Sequence, residues 1–160
     1  MFRREFLSTS SALLASQFLR GATQAQSSPQ APYRVGVIGH TGRGNYGHGL
    51  DTVWLQLPQT EVVAVADADP KGLADAQKRL PKARAFSDYT TMVQEIRPDL
   101  VAVAPRHVDQ HLEMIKAAIQ AGAKGIYIEK PFVRTPAEAD EVVEMSRRKG
   151  VRIAIAHRNR

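Results

Sequence analysis

Cysteine is absent from the 160 residues of this chain, and so are internal repeats and low-complexity tracts. Without cysteine the protein can form no disulfide, no thiolate nucleophile and no cysteine-ligated zinc site, although the redox compartment stays open. Aromatic residues make up only 6% of the chain, whereas its 43% hydrophobic and 24% charged residues are ordinary for a globular protein. The length corresponds to about one domain.

The chain also lacks a stripe of Lys and Arg interleaved with aromatic residues, which argues against a nucleic-acid partner. Its net charge is +6. Within the first 25 residues, Arg3, Arg4 and Arg20 against Glu5 contribute +2, which leaves +4 for the remainder. A moderately basic domain of this kind suits an anionic small molecule.

The N-terminus has the layout of an export signal over residues 1–25. A positive start, "RREFL", is followed by a modest apolar stretch and a small-residue site that ends at Ala25. "RREFL" resembles the twin-arginine motif, although Phe2 stands where Ser or Thr is usual and Ser8 where Lys is common. The apolar stretch is too short to span a bilayer, so we expect no stable membrane anchor, and residues 26–32 are predicted to be a linker. We predict a periplasmic or secreted protein; the alternative is an uncleaved tail on a cytoplasmic one.

Six short apolar runs rich in β-branched residues follow, and they predict six strands. The runs are YRVGVIG (33–39), EVVAVAD (61–67), ARAF (83–86), DLVAVA (99–104), GIYIE (125–129) and VRIAIA (151–156). Because they are apolar throughout, both faces of the sheet are expected to be buried, as in parallel sheets covered by helices. Residues 33–160 are therefore predicted to form an α/β fold with a doubly wound parallel sheet of the Rossmann type.

Helix signals fill the gaps between these runs. The first helix is expected to follow a glycine-rich turn and to end at about Leu57, before Pro58. The other helices are expected at about 69–80, 88–96, 107–122 and 135–150. Asp69 and a capping box at Thr135 mark two of the starts, and Gly150 marks an end.

The first predicted strand runs into "GHTGRGNYGHG", whose glycines permit a sharp turn and a close approach of a pyrophosphate to amides at a helix N-terminus. Two registers of the G-x-G-x-x-G pattern compete. One uses Gly39, Thr41 and Gly44, with Gly42 able to supply the close approach that Thr41 cannot. The other uses Gly42, Gly44 and Gly47, three residues later. Strand geometry favours the first register, while a glycine-rich turn alone is also consistent with a simple tight loop.

Asp67 closes the second predicted strand, 23 residues after Gly44, where a carboxylate can accept hydrogen bonds from an adenosine ribose. The other role for an acid at this place is a helix cap, but Asp69 already fills it. A carboxylate there also repels a 2′-phosphate. We therefore predict NAD in preference to NADP, with Lys71 or Arg43 able to soften that preference.

The fifth predicted strand ends in Glu129, Lys130 and Pro131. In a doubly wound sheet, ligands bind outside the carboxyl ends of the strands, so these residues are expected to face the same crevice as the glycine-rich turn. A Lys beside a nicotinamide can exchange a proton with a carbinol oxygen during hydride transfer. A Lys-Pro pair on its own is more typical of a turn at a strand end.

One pair of side chains has the spacing of metal ligands. His107 and His111 lie four residues apart, so one helical face could present both. No third ligand stands at a convincing distance in the sequence, and we predict no metal site.

Taken in order, "VGVIG…G", "VVAVADAD", "VAVAP…H", "IEKP" and "IAHRNR" resemble the glucose–fructose oxidoreductase, inositol dehydrogenase and MocA (Gfo/Idh/MocA) family over residues 33–160. The resemblance implies an NAD(P)-dependent oxidoreductase of a sugar or polyol, with Lys130 as the catalytic residue and a Lys-Pro peptide that is cis in some relatives. It also implies dinucleotide contacts by Gly39 and Gly44 at the pyrophosphate, Asp67 at the adenosine ribose, Ala104, Pro105 and Glu129 by the nicotinamide ribose, and His111 and Arg158 nearby.

Members of that family continue well past the position of Arg160, into a domain that supplies most substrate contacts, a partner for the lysine and the usual oligomer interface. We therefore expect this chain to be the cofactor-binding part of such an enzyme, truncated before the substrate domain. By itself it should lack turnover, and homo-oligomers should need the missing domain. The alternative is a non-catalytic dinucleotide-binding module that uses the cofactor structurally or as a sensor.

Overall fold

The computed structural model describes residues 31–157 of the chain. Its strands and α-helices are β1 Tyr33–Ile38, β2 Thr60–Ala66, α1 Pro70–Arg79, β3 Arg84–Phe86, α2 Tyr89–Ile96, β4 Leu100–Val103, α3 His111–Gln120, β5 Gly125–Glu129, α4 Pro136–Lys149 and β6 Arg152–Ala156. Short 3-10 turns lie at Val53–Gln56 and Val108–Gln110. The predicted export signal, most of the predicted linker and Arg158 lie outside the described residues. No helix between residues 31 and 157 is both long and apolar enough to cross a membrane.

The six strands form one parallel sheet in the order β3-β2-β1-β4-β5-β6. The chain builds outward from β1 in one direction, returns to pair β4 with β1, and then builds outward in the other direction. This is the doubly wound Rossmann arrangement, so the predicted fold is confirmed. The order reverses between β1 and β4, and the crevice at such a reversal is where α/β sheets bind their ligands.

Side chains of the central strands alternate between two apolar cores, because successive residues of a strand point to opposite faces. On one face, Val101 and Val103 of β4 pack with residues of α2, α3 and α4. On the other face, Ala102 and Ala104 pack with α1 and with Trp54 from the chain after β1. Burial on both faces is the reason that these strands are apolar throughout.

The starts of α1 and α4 follow the predicted signals, and α2 begins with a cap of the same kind as α1. Asp69 and Asp88 each accept a hydrogen bond of 2.6 Å from an amide in the first turn of α1 and α2, respectively. Thr135 Oγ1 accepts from the Glu138 amide at 3.2 Å at the start of α4. The reciprocal half of the predicted capping box differs, because the Glu138 carboxylate accepts from the Arg134 amide at 2.9 Å.

The α-helix predicted between β1 and Pro58 is wrong. Residues 39–57, which we call the glycine-rich segment, form successive turns that end in the 3-10 turn Val53–Gln56. Four glycines of the segment have positive φ: Gly42 at 83°, Gly44 at 94°, Gly47 at 58° and Gly49 at 85°. An α-helix needs φ near −63° at every residue. A pyrophosphate at this place would therefore meet amides of a turn, not the first turn of a helix.

Candidate functional site

The carboxyl ends of four neighbouring strands bring together most of the predicted site residues. Gly39 follows β1, Asp67 follows β2 and Ala104 follows β4, while Glu129 ends β5 and Lys130 comes next. Neighbouring parallel strands place all of these ends at one edge of the sheet. We take this edge, together with the glycine-rich segment, as the candidate functional site.

Asp67 holds the start of the glycine-rich segment and is only 1% exposed. Its carboxylate accepts hydrogen bonds from the Thr41 amide at 3.1 Å, the Thr41 hydroxyl at 2.7 Å and the Asp69 amide at 3.0 Å. Gly72 in the first turn of α1 makes room for this contact, because a Cβ there would lie 2.6 Å from Thr41 Cβ. The predicted ribose partner is thus engaged by donors of its own chain.

Tyr46 lies near Asp67 in the same region of the site. Tyr46 is 8% exposed, and its hydroxyl makes no hydrogen bond within residues 31–157. Burial, reinforced by the nearby Asp67 carboxylate, raises the pKa of the Tyr46 hydroxyl. The Arg79 guanidinium lies 5.0 Å from the Tyr46 ring centroid and donates at 2.7 Å to the buried Asp51 carboxylate. This ion pair fastens the glycine-rich segment to α1.

A cavity of about 420 Å³ opens between the glycine-rich segment and α1. Thr41, Tyr46 and Gly72 contribute to its lining, and so does Lys71, whose ammonium group donates to Asp75 at 3.0 Å. The volume is within the range of small-molecule sites. Lys71, which the sequence suggested as a cation near a 2′-phosphate, therefore lies at the predicted adenosine end of the site.

Gly42 and Gly44 form the tip of the turn after β1. The Gly42 amide donates to Asn45 Oδ1 at 3.0 Å, and a Cβ on Gly42 would meet no atom within 4 Å. A Cβ on Gly44, in contrast, would lie 2.6 Å from Arg106 Cβ, so the turn approaches the chain after β4 closely. The Gly44 amide donates to no atom among the described residues. Any other residue at Gly42 or Gly44 would therefore be strained. The cause at Gly42 is its positive φ, and at Gly44 it is both a positive φ and the contact with Arg106.

The glycine-rich segment is tied across the crevice to the chain between β4 and α3. The Arg43 guanidinium pairs with the Asp109 carboxylate, and the Arg43 carbonyl accepts from the His107 amide at 3.2 Å. His40 Nδ1 lies 2.6 Å from Gln110 Oε1. These contacts bridge the point where the strand order reverses, which is the predicted path of the dinucleotide.

His111 is completely buried and joins the chain after β4 to the chain after β5. Its Nε2 lies 2.8 Å from the Pro105 carbonyl oxygen, and its Nδ1 lies 3.1 Å from the Phe132 carbonyl oxygen. Both ring nitrogens therefore face carbonyl oxygens, to which only a nitrogen that carries a hydrogen can donate. Residues 31–157 contain no group of three His, Asp or Glu side chains arranged for a metal ion. Ala104 is also buried, and its amide donates to the Ile38 carbonyl at 2.9 Å. The predicted contacts of Ala104, Pro105 and His111 with a dinucleotide remain predictions.

Glu129 is completely buried at the end of β5. Its Oε2 lies 3.0 Å from the His48 amide and 2.9 Å from His48 Nδ1, and its Oε1 accepts from the Lys130 amide at 3.1 Å. A buried carboxylate is costly without such partners. The Lys130 side chain is exposed, and the peptide to Pro131 is cis, as in some members of the resembled family. Lys130 is thus the exposed ionisable group at this strand end.

Sequence analysis missed two side chains that the structure places at the site, Tyr46 and His48. Both lie in "GNYGHG", which was assigned to the glycine-rich turn with no role for these two side chains, so neither was expected to reach Asp67 or Glu129. The density of glycines in this stretch indicated the turn, but no sequence signal showed which strand ends its side chains reach. Each Gly costs about 1 kcal/mol relative to Ala in a helix interior, so four of them within eight residues favour turns.

A family model described as "Oxidoreductase family, NAD-binding Rossmann fold" matches residues 33–157. The chain belongs to this family. It is the Gfo/Idh/MocA family whose motifs the sequence resembles, and the predicted dinucleotide cofactor is confirmed with it. The edge formed by β1, β2, β4 and β5 is accordingly the edge of an NAD-binding domain.

Relatives of this Gfo/Idh/MocA chain are considerably longer than the chain itself. It is 31% identical over 106 residues to a D-apiose dehydrogenase of Paraburkholderia graminis, which covers 66% of this chain and 28% of that enzyme. UDP-N-acetylglucosamine 3-dehydrogenase GnnA of Acidithiobacillus ferrooxidans superposes with a TM-score of 0.64 at 27% identity, over 78% of this chain and 38% of that one. GenD2 from gentamicin A biosynthesis, in complex with NAD, has a TM-score of 0.69 at 23% identity, over 81% of this chain and 36% of that one, and it shows the fold alone.

Proposed function

We propose that this chain is the cofactor-binding part of an oxidoreductase that transfers a hydride between a nicotinamide dinucleotide and a sugar or polyol. Lys130 is the observation that carries the proposal. Its exposed side chain directly follows a completely buried carboxylate, at the carboxyl end of a strand next to β4. The names of two relatives, which are dehydrogenases of D-apiose and of UDP-N-acetylglucosamine, support the substrate class.

The chemistry assigned to Lys130 is proton transfer at the reacting oxygen. When a carbinol is oxidised, its C–H bond gives up a hydride and its O–H bond gives up a proton, which the neutral Lys130 amine accepts. In the reverse direction the Lys130 ammonium group donates the proton to the carbonyl oxygen. A bound nicotinamide supplies the hydride acceptor or donor. Glu129 fixes the backbone of Lys130 through the amide hydrogen bond of 3.1 Å.

The dinucleotide itself is assigned to the glycine-rich segment and to the ends of the strands. Gly39, Thr41 and Gly42 build the turn, and the Gly44 amide is the donor proposed for a phosphate oxygen. Asp67 is proposed to meet the adenosine ribose at the end of β2. The family motifs and the shared edge of the sheet support these assignments.

Replacement of Lys130 tests the proposal. In the protein expressed from its complete reading frame, Lys130→Ala should lower kcat by about 10²–10⁴-fold, because it removes a general acid–base group, while the Kd for NADH stays within about threefold. Lys124→Ala is the matched control, since Lys124 lies just before β5 at the opposite edge of the sheet. Turnover is followed by nicotinamide absorbance over a panel of sugars and polyols. Retained turnover in Lys130→Ala with a panel substrate would exclude the proposed role.

A second candidate function is favoured by the state of the two buried carboxylates. Asp67 and Glu129 are both engaged by donors of the chain itself, which suits a module that holds a dinucleotide structurally or as a sensor. Such a module would bind NADH without oxidising or reducing any member of the panel. Binding together with complete absence of turnover, from the full reading frame, would favour this function over the first.

We also propose that the protein is exported in folded form through a twin-arginine-type signal in residues 1–25, followed by a linker to residue 32. The support is the run "RREFL" with the small-residue site at Ala25. The double variant Arg3→Lys with Arg4→Lys should stay in the cytoplasm with its N-terminus intact, whereas Arg20→Lys should be exported as the parent is. Cell fractionation with N-terminal sequencing measures both; normal export of the double variant would contradict the proposal.

A further inference from the structure

We infer that His48 is a positioning residue of this site, which holds Glu129 and, through it, the backbone of Lys130. The inference rests on the proposed role of Lys130 and adds a residue that the family motifs used above do not include. His48 lies in the glycine-rich segment, 81 residues before Glu129 in the chain, and its side chain is 30% exposed.

Within residues 31–157, His48 provides two of the three hydrogen bonds to the Glu129 carboxylate. Oε2 of the carboxylate has two partners, the His48 amide at 3.0 Å and His48 Nδ1 at 2.9 Å, and the remaining hydrogen bond comes from the neighbouring Lys130 amide. Because the Glu129 side chain is completely buried, its charge has no compensation from bulk water. An ionised carboxylate only accepts hydrogen bonds, so Nδ1 of His48 must carry a hydrogen in this contact.

At Gly47 the glycine-rich segment is in close contact with Glu129 at the end of β5 and with Ala104 after β4. Its φ is 58°, and a Cβ at this position would lie 2.5 Å from Glu129 Oε2 and 2.6 Å from the Ala104 carbonyl oxygen. The backbone before His48 therefore touches the ends of β4 and β5 at once. A side chain at position 47 would not fit between the segment and the carboxylate, so the close approach of this backbone places His48 against Glu129.

The consequence is a connection from the proposed cofactor turn to the proposed acid–base group. His48 gives Glu129 two donors, its amide and its ring Nδ1. Loss of the ring would remove the second donor, and the carboxylate would rotate toward another one. Its Oε1 would then release the Lys130 amide. The expected effect on hydride transfer is a reduced kcat, since misplacement by about 1 Å can cost 10²-fold, with little effect on the affinity for the dinucleotide.

The test uses three substitutions that differ in where they place a donor. The Nδ2 of Asn matches the position of His Nδ1, whereas the amide of Gln matches the Nε2 position. We expect His48→Ala and His48→Gln to lower kcat by roughly 10- to 100-fold and to shift the Lys130 amide resonance in a ¹H–¹⁵N spectrum of the chain. His48→Asn should restore the resonance and bring kcat to within about threefold of the parent. Thr60→Ala is the matched control, because it removes a 2.8 Å bond to Trp54 of the same segment without touching Glu129.

The outcomes separate this inference from the function on which it rests. An unshifted Lys130 amide in His48→Ala, or equal losses in His48→Asn and His48→Gln, overturns the positioning role. If Lys130→Ala keeps its turnover, the proposed function fails, while the resonance pattern of the His48 variants still decides whether His48 holds Glu129. If no panel substrate is turned over, that pattern alone supports or overturns the inference.

Discussion

Asp67 joins the second strand to the glycine-rich segment through Thr41, which donates both its amide and its hydroxyl to the carboxylate. The same carboxylate is proposed to favour NAD by meeting a ribose hydroxyl and repelling a 2′-phosphate. Asp67→Ala should therefore narrow the difference between the Kd values for NAD and NADP. A hydrogen bond to a charged group contributes about 1.5–3 kcal/mol, which sets the size of the expected loss for NAD. Titration calorimetry with both dinucleotides measures it.

Thr41→Val separates the two tasks of Asp67. This variant keeps the shape of the side chain but removes the hydroxyl that donates to Asp67 at 2.7 Å. It should weaken both dinucleotides alike, because it loosens the turn and leaves the charge of Asp67 in place. If Asp67→Ala also weakens NAD and NADP equally, Asp67 serves the turn alone.

The glycine-rich segment is the element whose shape depends most on individual residues. Gly42 and Gly47 both have positive φ, but only Gly47 is in close contact, with Glu129 Oε2 and the Ala104 carbonyl oxygen. Gly42→Ala should therefore cost only the backbone term of about 1–2 kcal/mol in the free energy of unfolding. Gly47→Ala should cost more than that, because its Cβ must displace a buried carboxylate.

Urea unfolding of the two variants measures the difference between them, with Gly42→Ala as the matched control for the backbone term. Gly47→Ala should also shift the amide resonance of Lys130, since Glu129 would have to move. Equal free energies of unfolding for the two variants would contradict the close approach seen at Gly47.

The whole molecule carries several carboxylates whose pKa values are lowered by their partners. Hydrogen bonds from Lys78 and Lys71 lower the pKa of Asp75 from 3.8 to about 2. The pKa of Asp88 is lowered by the Thr91 amide, and that of Asp99 by Lys124. A carboxyl group whose pKa is lowered by folding contributes stability above its unfolded pKa, and this contribution is lost as the pH falls through the folded pKa.

The free energy of unfolding should therefore stay level near neutral pH and fall as the pH drops below about 4 toward about 2. Urea unfolding at a series of pH values measures this dependence. Asp75→Asn should make the fall shallower in the window between 3.8 and about 2, because the variant has no proton to bind there. An unchanged slope in Asp75→Asn would mean that the pairs with Lys71 and Lys78 do not form in solution. Such exposed pairs are individually weak, so the effect should also shrink at high salt.

Much of the fold was predictable because its signals are local. The β-branched runs at 61–67 and 125–129 became β2 and β5, and Asp69 caps α1 as its position before Pro70 indicated. The parallel sheet followed from strands that are apolar on both faces, and the family match confirmed what the motifs implied. The same local reasoning failed between β1 and β2, where a helix was expected after the glycine-rich turn and before Pro58. The chain instead continues in turns as far as the 3-10 turn Val53–Gln56.

The sequence by itself determined which residues form the strands, which family the chain belongs to and that its cofactor is a nicotinamide dinucleotide. It also determined the place of Lys130 at the end of β5. Only the tertiary structure decided which groups meet at the edge of the sheet. That Asp67 bonds Thr41, and that His48 covers a completely buried Glu129, depends on contacts between residues 26 and 81 positions apart. Such contacts leave no periodic signal in the chain, because they arise from the positions of separate strand ends in one sheet and from a turn whose glycines allow its backbone to approach them.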